Sequence, residues 1–253
     1  MKKIYIPMMR YGDKEFDEGF VGWGFNSYDD QIRDANAVLN IMRRPAMKML
    51  DLGCGLGIYH KVWLDAGHAV VGVDLSETFI FMAQNNNDSY PQASYRCENF
   101  EEMADQDEFD CVTMIDTPVE NDELAKTVFN ALNPGGAFLF QVSNPHYDHA
   151  RGPLFVKHRD WIENEDRTFL LTRHEYNESI DRWVYEEWHI DIEKAEIVVQ
   201  HNHSHNLRFR DYVVMLKNAG FATVCFLDDQ GSPYEYGAEE PRNYFCVAKK
   251  GGM

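Results

Sequence analysis

The fold of this chain is decided by the stretch MLDLGCGLG, residues 49–57. An apolar run reaches Asp51, three glycines follow within five positions, and a segment with helical spacing starts at Ile58. Glycines allow a positive φ and let a ligand lie directly against the main chain. The stretch therefore predicts a buried strand, a glycine-rich turn with a ligand site, and a helix.

The glycine spacing and the nearby charge indicate which ligand binds at the turn. A nicotinamide dinucleotide site has the pattern G-x-G-x-x-G, but Gly57 comes one residue early and Ile58 occupies the required position. Asp51 also places a carboxylate at the mouth of the turn, where it repels a pyrophosphate and attracts an ammonium or sulfonium group. Both features favour a cationic, amino-acid-like cofactor over NAD.

A second carboxylate follows the next apolar run. Asp74 ends the run 69–74 and lies 21 positions after Gly53. In a doubly wound sheet this strand end faces a bound nucleoside, and a carboxylate there can accept hydrogen bonds from both ribose hydroxyls. Because NAD and S-adenosylmethionine both contain a ribose, Asp74 supports a nucleoside site without choosing between the two cofactors.

Outward from the turn, strand-like and helical segments alternate along the chain. Apolar runs predict strands at 47–51, 69–74, 93–97, 109–115 and 137–143. Helical spacing predicts helices at 28–42, 58–66, 77–85 and 121–132. Buried strands that alternate with helices indicate a parallel sheet covered on both faces.

The pattern changes after residue 144, where the strands predicted at 168–177, 181–192 and 195–203 have polar residues at alternate positions. A helix is predicted at 211–219, followed by two closing strands at 221–227 and 243–249. Alternation of this kind is typical of antiparallel strands with one solvent-exposed face. We therefore expect an α/β fold: a doubly wound, seven-stranded, mostly parallel sheet whose last strand is antiparallel, with an antiparallel β insert.

Charge and composition disfavour several classes of partner. The 253 residues include 42 acidic and 24 basic side chains, a formal net charge of −18, so a nucleic acid or an anionic membrane would be repelled. No apolar run approaches the ~20 residues of a membrane span and the start lacks a signal-peptide pattern, which predicts a cytoplasmic protein. The five cysteines include no C-x-x-C pair, which indicates reduced core residues rather than disulfides or a zinc site.

The series of motifs resembles that of the class I S-adenosylmethionine-dependent methyltransferases, in particular their small-molecule branch. DLGCGLG at 51–57 is similar to the first motif of that family, and GVDLS at 72–76, followed by Ala83, is similar to the second. Four further similarities follow in the order of the family, at 98–100, 109–110, 132–136 and 219–221. Together they extend over residues 47–250, most of the chain.

The resemblance implies S-adenosylmethionine as the cofactor and assigns residues to its parts. Those for the methionine part are Asp51, Gly53, Cys54 and Gly55. Those for the nucleoside are Asp74 at the ribose, Leu75 on one face of the adenine, Glu98 or Asn99 at the adenine amino group, and Phe100 nearby. Ile115 and Asp116 line the pocket where the methyl group emerges. Residues 98–100 are also compatible with a helix cap and a packing aromatic side chain.

The implied activity is transfer of a methyl group to nitrogen or oxygen of a small molecule. Such a transfer chiefly requires alignment of the reacting atoms and exclusion of water. If the acceptor is an amine or hydroxyl, a neighbouring base accepts its proton, and the candidates are His146, Tyr147, His149 and Asp116. Residues 116–118, DTP, stand where the family usually has an aromatic or histidine-bearing segment, so the substrate side of the pocket departs from the common pattern.

The resemblance also predicts how the chain is divided. We expect a single domain over 1–253 with a helical N-terminal lid segment (1–45), a cofactor-binding core (46–145), a β-rich insert over the active site (146–208), and a C-terminal helix and strand hairpin (209–253). The aromatic residues of the insert fit either a core or the cover of a pocket. We expect the segments 11–28 and 151–205 to close over the site and determine the acceptor.

Three alternatives remain open from the sequence. A nicotinamide-dependent oxidoreductase would have to bind NAD despite Asp51, and a non-catalytic cofactor-binding module would use the insert as a partner interface. His201, His203 and His205 share one face of a strand, which suits either a polar surface, our preferred interpretation, or a metal site. The sequence specifies neither the acceptor nor the oligomeric state.

Overall fold

The computed structural model describes residues 2–6, 28–117, 119, 121–144, 157–163, 168–177, 182–203, 207–235 and 243–252. The chain divides into two compact units, each with its own sheet. The larger unit comprises residues 11–143, 207–236 and 241–253, and the smaller unit comprises 1–10, 144–206 and 237–240.

The larger unit contains a seven-stranded sheet flanked by helices. Its strands are β2 (Lys48–Leu52), β3 (Ala69–Asp74), β4 (Ala93–Cys97), β5 (Phe109–Met114), β6 (Leu132–Ser143), β11 (Thr223–Leu227) and β12 (Asn243–Lys249). Its helices are α1 (Tyr28–Met42), α2 (His60–Asp65), α3 (Glu77–Asn86), α4 (Asp122–Ala131) and α5 (Phe209–Ala219), with a short 3₁₀ helix at Phe100–Glu102. The elements follow the alternation that the sequence predicts.

The strand order of this sheet is β11-β12-β6-β5-β2-β3-β4. Strands β2 to β6 pair in parallel, whereas β12 is antiparallel to both of its neighbours. The prediction of a doubly wound, mostly parallel sheet with an antiparallel last strand is therefore confirmed. Residues 133–136, part of the motif at 132–136, lie within the bounds of β6, where the pairing with β5 shifts from Phe109–Leu132 to Cys111–Ala137.

Both faces of the sheet are covered, as its apolar strands require. Neighbouring residues of one strand point to opposite faces, so Met49 packs in the cluster that includes α1 and α2, while Leu50 packs in the cluster that includes α4 and α5.

Two helix termini carry residues suited to capping. The Ser76 side chain caps α3 by accepting a hydrogen bond from the Phe79 N–H, and α5 ends at Gly220 with a φ of 112°.

The smaller unit contains a five-stranded sheet in the order β1-β10-β9-β8-β7. Its strands are β1 (Lys2–Ile6), β7 (Lys157–Glu163), β8 (Thr168–Asn177), β9 (Arg182–Asp191) and β10 (Glu196–His203). All neighbours are antiparallel except β1, which pairs in parallel with β10. Part of the segment predicted to be helical is thus a strand, since the β-branched and aromatic residues of KKIYI favour a sheet edge.

Two further observations concern membrane-spanning helices and the cysteines. None of the described helices is long and apolar enough to cross a membrane. All five cysteines are free, but only Cys54, Cys111 and Cys246 are buried, so the prediction that all are core residues is wrong for Cys97 and Cys225. These two lie on the outer strands β4 and β11, where fewer elements cover the sheet.

Candidate functional site

The glycine-rich turn follows β2 and is fastened to the end of β3. The backbone N–H groups of Gly53 and Cys54 donate to the Val73 carbonyl over 2.8 and 3.0 Å, and the Gly55 N–H donates to Asp74 Oδ2 over 2.9 Å. Gly53, Gly55 and Gly57 have φ values of 71°, 51° and 64°. Residues with a side chain rarely adopt this left-handed backbone conformation, so the turn requires its glycines.

Asp74 is held in place at the end of β3. Its Oδ1 accepts a hydrogen bond from the Ser76 N–H over 2.9 Å, while Oδ2 accepts from Gly55. The residue is 8% exposed, so its carboxylate is largely enclosed by the protein. The next residue, Leu75, is 51% exposed. Asp74 and Leu75 therefore place a fixed carboxylate beside an uncovered apolar side chain.

Asp51 is the centre of a buried network that we define as Thr113, Asp51, His60 and Tyr95. Thr113 Oγ1 donates to Asp51 Oδ1 over 2.6 Å, and His60 Nε2 lies 3.0 Å from Asp51 Oδ2. The other ring nitrogen of His60, Nδ1, lies 2.9 Å from the Tyr95 hydroxyl. Asp51 is 2% exposed and His60 is fully buried, so both carboxylate oxygens are engaged inside the protein.

The segment after β5 lies against the glycine turn. A Cβ at Gly53 would come within 2.6 Å of Thr117 Oγ1, so Thr117 packs directly on the turn. Asp116 has a φ of 57°, a strained conformation for a residue other than glycine. Its carboxylate accepts a hydrogen bond from the Tyr59 hydroxyl over 2.6 Å. Ile115, predicted to line the pocket, is a buried member of the core.

A hydrogen-bonded chain connects Asp116 to helix α1. The Asp116 N–H donates to Gln141 Oε1 over 3.3 Å, and Gln141 Nε2 donates to Asp34 Oδ2 over 2.7 Å. Burial raises the pKa of the Asp34 carboxyl above its usual range. Burial, together with the charge of Asp116, also raises the pKa of the Tyr59 phenol. Tyr59 therefore keeps its proton and remains a hydrogen-bond donor to Asp116.

The residues predicted for the adenine amino group follow β4. Glu98 Oε1 lies 3.0 Å from Arg96 Nε, and Arg96 also contacts both carboxylate oxygens of Asp105 over 3.1 Å. The Asn99 side chain caps the 3₁₀ helix by accepting a hydrogen bond from the Glu101 N–H over 3.1 Å. Both predicted side chains thus contact protein groups, and the helix-cap interpretation is confirmed for Asn99.

Several predicted residues lie outside the described part of the chain. These are the proton-acceptor candidates His146, Tyr147 and His149, and the histidine His205. His201 and His203 belong to β10, but their side chains are not described. Of the proton-acceptor candidates, Asp116 is therefore the one that the described residues place beside the glycine turn.

Comparisons with known proteins agree with this geometry. Residues 49–136 match the family model of a methyltransferase domain. A ubiquinone biosynthesis O-methyltransferase from Idiomarina loihiensis is 33% identical over 103 residues, which is 38% of this chain and 42% of that protein. The match thus spans less than half of the relative's length.

Solved methyltransferase structures share the fold over nearly the whole chain. The CcbJ methyltransferase from Streptomyces caelestis superposes with a TM-score of 0.69, 18% identity and coverage of 96% of this chain and 98% of that one. Residues 49–136 therefore belong to the methyltransferase-domain family whose model they match. The sugar N-methyltransferase KedS8 from a Streptoalloteichus species superposes on the chain with a TM-score of 0.63 at 17% identity, with coverage of 97% and 96%. At these identities the structural likeness shows the fold alone.

The residues of the site fit S-adenosylmethionine as a cofactor. Gly53 and Gly55 have the left-handed backbone of the turn, Asp74 places a carboxylate at the end of β3, and the exposed Leu75 offers an apolar surface. Asp51 supplies a buried negative charge directly before the turn. This set matches a ligand that combines a cation, a sugar and a base, and the comparisons do not support a nicotinamide enzyme.

Sequence reasoning missed three members of the buried network, namely His60, Tyr95 and Thr113. Thr113 carried a detectable signal, since it is a polar residue within the apolar run of β5. His60 begins the helix after the turn, a position that by itself does not indicate its partner. Tyr95 lies in the middle of β4, where an aromatic residue is common and does not by itself indicate a partner.

Proposed function

We propose that this methyltransferase transfers the methyl group of S-adenosylmethionine to a nitrogen or oxygen atom of a small molecule. The observation that carries the proposal is the glycine turn held between Asp51 and Asp74, with the Gly55 N–H bonded to the Asp74 carboxylate. When bound, S-adenosylmethionine supplies a methyl group on a sulfonium leaving group. The protein's own task is to bind and orient the reactants and to exclude water.

Residues at the carboxyl ends of the strands divide the binding between them. In this proposal Asp74 accepts hydrogen bonds from the ribose hydroxyls, and Leu75 packs on the adenine. The turn Gly53-Cys54-Gly55 receives the methionine part, whose positive charges are attracted by Asp51. Burial and the charge of Asp51 raise the pKa of the Cys54 thiol, so Cys54 stays neutral and contributes packing and backbone rather than charge.

Asp116 is the proposed proton acceptor for an amine or hydroxyl substrate. Its carboxylate follows β5, beside the turn, and the Tyr59 hydroxyl already donates a hydrogen bond to it over 2.6 Å. That bond fixes the orientation of the carboxylate, which in this proposal accepts the substrate proton. His146 and Tyr147 remain proposed contributors from the segment after β6.

The acceptor is proposed to be a neutral or cationic small molecule. A formal charge of −18 disfavours polyanionic acceptors, and for the same reason we propose neither nucleic acid nor an anionic membrane as a partner. KedS8 is described as a sugar N-methyltransferase and the Idiomarina relative as an O-methyltransferase, so both nitrogen and oxygen acceptors belong in the first screen. The cytoplasmic location stays a prediction from the sequence.

Calorimetric titration and an acceptor screen test the proposal. The purified protein should bind S-adenosylmethionine and S-adenosylhomocysteine but not NAD. A panel of small amines and alcohols, incubated with methyl-labelled S-adenosylmethionine, should include an acceptor that gains the label. Binding of NAD instead would contradict the cofactor assignment. Binding of S-adenosylmethionine without transfer to any amine or alcohol would favour a cofactor-binding module.

A further inference from the structure

The Asp51 carboxylate is anchored at both oxygens by side chains of the protein. Thr113 donates to Oδ1 over 2.6 Å, and His60 Nε2 lies 3.0 Å from Oδ2. The Asp51 side chain is 3% exposed and that of His60 is fully buried. A buried carboxylate is stable only when donors compensate its lost hydration, so these two contacts are what keep the charge inside the protein.

The tautomer of His60 follows from its two partners. A carboxylate can only accept, so the contact with Asp51 requires a proton on Nε2. Nδ1 lies 2.9 Å from the Tyr95 hydroxyl, and burial raises the pKa of that phenol well above its usual range. The phenol therefore keeps its proton and can donate it to Nδ1.

Packing prevents the imidazole ring from shifting. The ring stacks on Tyr95 with centroids 5.4 Å apart and contacts Trp63 with centroids 5.6 Å apart. On the β3 side, a Cβ at Gly72 would come within 2.8 Å of His60 Cε1, so ring and strand are already in close contact. The donor on Nε2 is consequently fixed in space as well as in protonation.

The hydrogen bond also links the two ends of the glycine turn. Asp51 precedes the turn and His60 follows it, as the first residue of α2. The intervening residues include three glycines, which have the greatest conformational freedom of any residue type. A bond between the flanking side chains therefore restricts the turn as a whole.

We propose that His60 is a positioning residue for the cofactor, which holds the Asp51 anion and the ends of the glycine turn in the arrangement that attracts the cationic methionine part of S-adenosylmethionine. His60 is fully buried and acts through Asp51 rather than by touching the ligand. This inference rests on the proposed function, because it takes S-adenosylmethionine as the ligand of the turn.

A double-mutant cycle on ligand affinity tests the inference without an acceptor. The dissociation constants of S-adenosylmethionine and S-adenosylhomocysteine are measured by calorimetry for wild type, His60→Leu, Asp51→Asn and the double variant. Each single change should weaken S-adenosylmethionine binding about tenfold to a hundredfold, the range expected for a hydrogen bond to a charged group. The dissociation constant of the double variant should be no higher than that of the single variant with the larger loss, because both changes remove the same interaction.

Two conservative variants and one control make the test independent of general stability. His60→Gln retains an N–H donor and should recover part of the affinity that His60→Leu loses. Tyr95→Phe keeps the stacked ring but removes the hydroxyl that fixes the tautomer, so it should weaken binding less than His60→Leu. His68 is a buried histidine at the other end of β3, where its Nδ1 accepts from the Met47 N–H over 2.9 Å. His68→Leu should lower thermal stability and leave the dissociation constants unchanged.

The outcomes separate this inference from the proposed function. If wild type binds S-adenosylmethionine and the folded His60→Leu variant binds equally well, the inference is wrong and the function stands. Fully additive losses in the double variant would also overturn it, since His60 would then act independently of Asp51. If wild type binds neither ligand, the proposed function fails and the inference falls with it.

Discussion

The carboxylate of Asp74 accepts a hydrogen bond from the backbone N–H of Gly55 over 2.9 Å, which ties the end of β3 to the turn that follows β2. The two strands are neighbours in the sheet, so this single bond aligns two parts of the proposed cofactor site. A carboxylate placed by its own backbone contacts needs little rearrangement to receive a ligand, which lowers the entropic cost of binding.

Replacing Asp74 should weaken cofactor binding. We expect Asp74→Ala to raise the dissociation constants of S-adenosylmethionine and S-adenosylhomocysteine alike, by about tenfold to a hundredfold, because both ligands contain the ribose. Asp65→Ala is the matched control, since the Asp65 carboxylate accepts a 2.6 Å hydrogen bond from the exposed Tyr90 hydroxyl outside the site. Calorimetry that showed normal product binding with weakened cofactor binding would contradict the ribose role.

Adding a methyl group at Gly72 should destabilise the fold. A Cβ there would come within 2.8 Å of His60 Cε1 and Tyr95 Cδ1 and within 2.9 Å of Cys54 Sγ. We expect Gly72→Ala to lower the free energy of unfolding by about 1–3 kcal/mol, the usual range for overpacking. Gly252→Ala, where no atom lies within 4 Å, should have little effect. Urea unfolding followed by tryptophan fluorescence compares the two, and equal stabilities would refute the packing argument.

The stability of the protein should depend on the charge of Asp34. Burial raises the folded-state pKa of this carboxyl above its unfolded value of about 3.9. The folded state therefore binds the proton more tightly, and stability is lost as the pH rises from about 4 through the raised pKa. Asp34→Asn removes this loss while its amide oxygen still accepts from Gln141. In urea unfolding from pH 4 to 7, the free energy of unfolding of the variant should rise relative to that of wild type as the pH rises. A constant difference between the two would contradict this.

His68 should make the protein sensitive to acid. Burial lowers the folded-state pKa of its ring below the unfolded value of about 6.5, so stability is complete above pH 6.5 and is lost as the pH falls through the lowered pKa. His68→Asn keeps an acceptor for the Met47 N–H and cannot titrate. The midpoint of thermal unfolding should therefore fall less in the variant than in wild type between pH 6.5 and 5. An identical decline would show that other groups cause the acid sensitivity.

The proposed lid segments should respond to ligand. We expect hydrogen exchange of the segments 11–28 and 151–205 to slow when S-adenosylmethionine and an acceptor bind together, because methyl transfer requires exclusion of water. Exchange in the strands of the seven-stranded sheet should change little, which provides the internal control. Equal protection of the two segments with and without ligands would argue against closure and favour a fixed roof or a partner surface.

The seven-stranded sheet was predictable because its strands are short apolar runs between helices. The runs 69–74 and 93–97 coincide with β3 and β4, of which β3 is largely buried in the sheet while β4 lies on its edge with no buried residue. Strand β1 was not predictable, because its partner β10 lies far along the chain and short alternating segments carry little information about distant pairing. Residues 157–163, now β7, were also missed, although their partner β8 is the next strand in the chain.

The site was predictable at its backbone and less so at its side chains. The glycine turn and the acids Asp51 and Asp74 follow from strand ends and spacing, which are local properties. The partners of Asp51 come from α2 and β5, so their meeting depends on how nonconsecutive elements pack. The link from Asp116 through Gln141 to Asp34 likewise joins residues on three elements distant in sequence.

Strand β12 lies between β6 and β11 in the sheet, although it is the last of the three in the chain. During synthesis, β6 is complete about 100 residues before β12 leaves the ribosome, an interval of roughly 5–20 s at ordinary translation rates. Throughout that time one edge of β6 has no hydrogen-bonded neighbour from this sheet, and an open strand edge is a template for intermolecular pairing. The edge of β6 therefore stays open to intermolecular pairing until residues 243–249 have emerged, so the order of the strands in the chain sets how long the nascent sheet is exposed.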